Sequence, residues 1–174
     1  MDKPALLRAA AISAGFYAAA LLVEPTMAES ASLPPDAHFR AIRVDVAPLA
    51  SSAGEPTASW MAQALPGHLQ SVFANRLSPG DHSAPTLVVR VDSLFLGESG
   101  NGIGDATGAD RARDNVQGAG LVVAPDGRTI ASFPIFDVLY NYTGGSNYEV
   151  GTERRRVNEL AAGLARWLPG QMGL

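Results

Sequence analysis

Residues 114–135 read DNVQGAGLVVAPDGRTIASFPI, and this stretch decides the fold. Two runs rich in Val, Leu, Ile and Phe flank Ala124-Pro125-Asp126-Gly127-Arg128. Pro125 presets the first central dihedral of a turn, Asp126 suits the second, and Gly127 takes the positive φ that follows. The stretch is therefore a β-hairpin, with strands expected over 116–124 and 129–140. Pro134 has no N–H for a sheet ladder, which puts the second strand at an edge or bulges it there. Beyond it Phe136, Val138, Tyr140 and Tyr142 alternate. That aromatic face is expected mostly in the core. Past the end of the sheet, Tyr140 and Tyr142 would instead offer a patch of the kind that interfaces use.

Working outward toward the amino terminus, residues 97–114 read GESGNGIGDATGADRARD. Before them, residues 86–96 form the strongest strand, with Val89 and Val91 on one face and Arg90 and Asp92 on the other. The alternation slips at Ser93-Leu94-Phe95, which predicts a bulge or cover on both faces. A helix is expected over 59–77, where Trp60, Met61, Ala64, Leu65, Leu69, Val72, Phe73 and Leu77 make one apolar stripe. Thr57 or Ser59 is expected to cap it. Pro66-Gly67 predicts a kink or two short helices. Ile42, Val44 and Val46 form a first strand ended by Pro48, and 51–56 is read as a loop. On the carboxyl side, a last helix over 150–168 carries Val157, Leu160, Ala161, Leu164, Trp167 and Leu168, and Pro169-Gly170 should stop it.

The order strand, helix, strand, strand, strand, helix predicts an α+β fold. Four strands form a mainly antiparallel sheet with two helices on one face. The domain is expected over 39–174, after a signal over 1–28 and a flexible leader over 29–38.

The hairpin, with Gly118, Gly120, Leu121, Asp126 and Gly127, and the 160–167 helical stripe resemble a loose group of small bacterial envelope proteins. These include auxiliary lipoproteins of transport and export systems and the amino-terminal domain of TolB. The resemblance is architectural and spans about 39–168. It implies a non-catalytic accessory module that docks onto or stabilises an envelope complex. The lipid-bearing cysteine common in that group is absent, since the chain has no cysteine.

The amino terminus fits this setting. Lys3 and Arg8 precede an uncharged run over 9–23, and Thr26-Met27-Ala28 places small residues for cleavage after Ala28. The expected location is the periplasm. The alternative is an uncleaved inner-membrane anchor, although the run is shorter than the roughly 20 residues a span needs. The net charge of −4 lacks the basic excess of a nucleic-acid binder.

Chemical motifs are sparse. Gly102, Gly104 and Gly108 approach a dinucleotide fingerprint, but 105–115 has no apolar stripe with which a following helix could pack. Asp105, Asp110 and Asp114 do not have calcium-loop spacing. Ser99 misses the nucleophile-elbow pattern. His38, His68 and His82 share no ligand spacing. No cofactor or metal is implied. The remaining readings of 97–114 are a long mobile hairpin connection, or a connection that touches an envelope partner through Ile103, Arg111 and Arg113. Arg154, Arg155 and Arg156 form the single basic cluster, either a solvated helix turn or a dock for an acidic partner or anionic head groups. A small hydrolase whose Asp, Glu and His gather only in space is the alternative function.

Overall fold

The computed structural model describes residues 32–97, 113–140 and 151–174. Strand β1 (Ala41–Asp45) is followed by helix α1 (Ala47–Ala53), helix α2 (Thr57–Val72) and a short 3-10 turn at Ala74–Arg76. Strands β2 (Thr86–Phe95), β3 (Arg113–Val123) and β4 (Thr129–Tyr140) come next, and helix α3 (Thr152–Gln171) closes the chain. The sheet order is β1-β2-β3-β4. β1 runs parallel to β2, and the other pairs are antiparallel. The expected α+β architecture is thus present, with one helix more than the sequence pattern gave.

The hairpin forms as its turn chemistry requires. Ala124 N–H donates to the Arg128 carbonyl at 2.9 Å, and Gly127 sits at φ 87°. Arg128 N–H donates to Asp126 Oδ1 at 2.9 Å. Pro134 does lie on an edge strand, where its missing N–H costs no ladder bond with a further strand. The phase slip on β2 is a bulge between Val91 and Ser93. Arg90 spans it by donating to both carboxylate oxygens of Asp92, at 2.6 and 3.1 Å.

One face of the sheet carries the core. Leu87, Val89, Val91, Val116, Val122, Phe133 and Ile135 meet Met61, Leu65 and Leu69 of α2 and Val157, Leu160, Leu164 and Leu168 of α3, all buried. Each fully buried Leu or Phe contributes about 1.5–3 kcal/mol. That sum overrides several local signals. α2 runs unbroken through Pro66, since Leu65 and Leu69 are both buried and the Ala62 carbonyl, to which Pro66 cannot donate, belongs to an exposed residue. α3 likewise continues past Pro169, because Leu168 and Met172 are both 0% exposed. Residues 51–56 are not simply a loop. Pro48 ends β1 but also opens α1, where a missing N–H costs nothing. Leu49 of α1 is buried, and Ser52 Oγ donates to the Asp92 carbonyl at 3.0 Å. Neither Thr57 nor Ser59 caps α2. Glu55 accepts the Ser59 N–H instead, at 3.3 Å.

On the other sheet face, large side chains stay exposed among the described residues. Phe95 is 59% exposed and Phe136 67% exposed, so Phe136, expected in the core, is not part of it. The buried residues of β4 are the intervening ones, Phe133, Ile135 and Asp137. Trp167, expected in the α3 stripe, is exposed as well.

Residues 32–38, within the expected leader, are docked on the domain. Leu33 N–H donates to the Met172 carbonyl at 2.9 Å. The Arg76 guanidinium donates to the carbonyls of Pro35 and Ala37, at 2.8 and 3.1 Å. The signal-like segment lies outside the described residues. Among the described residues no helix is long and apolar enough to cross a membrane.

Candidate functional site

The topology gathers one end of the domain. β1 and β2 both finish there, β3 begins there, and β4 finishes there. α2 and α3 therefore both start at this end, and the glycine-rich connection leaves and re-enters there.

A buried clamp holds that end together. Arg156 lies four residues before Leu160 and eight before Leu164, so it falls on the packed face of α3. Asp114 alternates with Val116 on the inward face of β3. Arg156 Nε donates to Asp114 Oδ2 at 2.8 Å, and a second guanidinium nitrogen donates to Asp114 Oδ1. The same nitrogen donates to the Gly97 carbonyl at 2.6 Å, and Gly97 N–H donates to Asp114 Oδ1 at 3.1 Å. Both charges are desolvated, with side chains 7% and 4% exposed. The clamp thus ties the two ends of the glycine-rich connection to the first turns of α3. A bidentate guanidinium–carboxylate pair fixes geometry as well as charge.

This changes the reading of the basic cluster. Arg156 is a buried positioning residue and neither a solvated turn nor a partner contact. Arg154 and Arg155 are exposed. They line an open cleft of about 440 Å³ between α2 and α3, together with Trp60, Gln63, Gly151 and Asn158. Arg154 donates to Gln63 Oε1 at 3.3 Å across the cleft. His68 Nε2 and Asn158 Oδ1 meet at 3.1 Å and link the same two helices farther along.

The other expected contacts divide. Arg113 is exposed and pairs through its backbone with Tyr140 at the end of β4. Ile103, Arg111 and Tyr142 lie outside the described residues. The sequence reading missed Asp114 and Arg156 as a pair. The available signal was a charged residue at an apolar phase on each of two elements.

The titratable groups are dispersed. Asp137 is 8% exposed, beneath Gly163 of α3, and its Oδ2 has no hydrogen-bond partner. Burial pushes its carboxyl above the ordinary range, against a backbone hydrogen bond from Val138 and the charge of Arg166. His38 and Asp81 meet at 3.0 Å at the opposite end, before the starts of β1 and β2. Hydrogen bonds from Ser83, then His38, hold Asp81 well below the usual carboxylate range. The Asp81 hydrogen bond in turn raises His38. His82 is exposed. Among the described residues no three His, Asp or Glu side chains form a group that could hold a metal ion.

The chain matches no protein-family model and no curated protein sequence.

Proposed function

We propose that the protein is an exported, non-catalytic binding module of a bacterial envelope complex, and that it engages its partner at the end where α2 and α3 begin. The carrying observation is the Arg156–Asp114–Gly97 clamp. It fixes the root of a long connection beside an open cleft that presents two exposed arginines. A buried ion pair gives little net stability over an apolar replacement. Its geometric precision is better suited to positioning a contact surface. The signal-like amino terminus and the resemblance to envelope accessory domains support the same reading.

Affinity capture of the protein from its own envelope tests the proposal. Deleting residues 100–110 leaves both ends of the connection in the clamp, so the fold should persist and partner capture should fall. Undiminished capture by the deletion variant would remove the connection from the binding surface. Absence of any captured partner, with the intact protein as bait, would overturn the module reading.

A further inference from the structure

We infer that the cleft between α2 and α3 receives an acidic peptide segment of the partner. This rests on the binding-module reading and specifies the partner's chemistry.

Charge is the first argument. Arg154 and Arg155 are consecutive in the first turn of α3, and among the described residues no carboxylate lines the cleft. Cations are disfavoured at a helix N-terminus, where the backbone dipole is positive. Glu153 is the single acidic residue of that turn, and no side chain caps it. Two carboxylates of an acidic segment would neutralise both guanidinium groups and complement the dipole. The chain as a whole carries −4, so this local excess of positive charge opposes the general balance.

Pre-positioning is the second argument. Arg154 is braced by Gln63 through one hydrogen bond. A guanidinium has five N–H donors, so donors are left over for an incoming carboxylate.

The walls favour a peptide over a bare anion. Trp60 is half-buried and partly packed on the core, and Ala64 lies one helical turn on, so this side of the cleft is apolar. The side-chain amide oxygens of Gln63 and Asn158 are engaged by Arg154 and His68, which leaves their N–H groups to donate to peptide carbonyls. An isolated phosphate would not use the apolar side.

The test measures binding of a fluorescein-labelled hexaglutamate peptide to the purified protein by anisotropy at low salt, with hexaglutamine as control. The glutamate peptide should bind and the glutamine peptide should not. Added salt should weaken binding, because exposed charges are screened. The Arg154→Gln, Arg155→Gln double variant should lose at least about tenfold in affinity, as removal of charge-assisted contacts implies. Arg128→Gln, at the far hairpin turn, should bind normally. Peptide binding should change tryptophan emission and Trp60→Phe should abolish that change, which gives a second readout from the opposite wall of the cleft.

Unchanged affinity in the double variant overturns the inference. Arginine-dependent binding to phosphatidylglycerol vesicles without binding to the glutamate peptide also overturns it, in favour of a lipid surface. If the double variant still captures the envelope partner, the acidic-peptide inference falls while the module reading stands.

Discussion

The two ends of the domain are each closed by an ion pair, and the pairs differ in their surroundings. At the cleft end, Arg156 and Asp114 are 7% and 4% exposed and share the Gly97 backbone. At the leader end, His38 and Asp81 are 47% and 37% exposed. The same attraction has different consequences. In water the leader pair is screened and contributes little. In the core each member of the clamp depends on the other, because a lone buried charge is costly. The cleft end is therefore rigid and intolerant, and the leader end adjusts with pH.

The largest expected effect comes from breaking the clamp on one side. Arg156→Leu leaves Asp114 buried without its partner and should destabilise the fold by about 3–5 kcal/mol. Chemical denaturation measures this. The paired variant Arg156→Leu with Asp114→Leu should recover much of the loss, since both desolvation penalties vanish together. If the double variant is as unstable as the single one, the clamp is not an isolated pair and its link to Gly97 dominates.

A smaller effect lies between the two ends, at Asp137. A Cβ on Gly163 would collide with Asp137 Oδ2, so Gly163→Ala should cost about 1–3 kcal/mol. Gly120→Ala should cost less, because its nearest obstacle is Leu168 Cδ1 at 2.9 Å, the end of a flexible side chain. Burial raises the folded-state pKa of Asp137, so the native chain binds more protons than the unfolded chain just above the ordinary carboxylate range. Stability must then fall as pH rises through that window. Asp137→Asn should raise the melting temperature at neutral pH, and the gain should shrink on acidification. A gain independent of pH would remove the ionised carboxylate as its cause.

The smallest effect belongs to the leader pair. His38 is raised, so its contribution is present below its unfolded pKa of about 6.5 and is lost as pH rises through the folded value. Asp81 is lowered, so its contribution is present above about 3.9 and is lost as pH falls through the folded value. The pair acts fully between about pH 4 and 6.5. His38→Ala should lower the melting temperature slightly near pH 5.5 and leave it unchanged at pH 8. An equal loss at both values would assign the effect to packing.

The sequence by itself determined the β3–β4 hairpin, because Pro125, Asp126 and Gly127 each satisfy a backbone requirement within five residues. It also determined the element order, apart from α1, and narrowed two irregularities to a pair of outcomes each: a bulge or double cover at 93–95, and an edge or a bulge at Pro134. Those signals are local or strictly periodic. Tertiary structure alone decided the rest. Pro66 and Pro169 punctuate a helix at about 3 kcal/mol each, and burial of several side chains outweighs that cost. Phe136 and Trp167 look like core residues, but only the placement of the helices shows which sheet face is covered. Arg156 resembles its two neighbours in sequence. Its helical phase and the inward phase of Asp114, 42 residues away, make it a buried clamp and leave Arg154 and Arg155 in the cleft. A charge is positioned by the partner the fold brings to it, and that pairing exists only once β3 and α3 have packed.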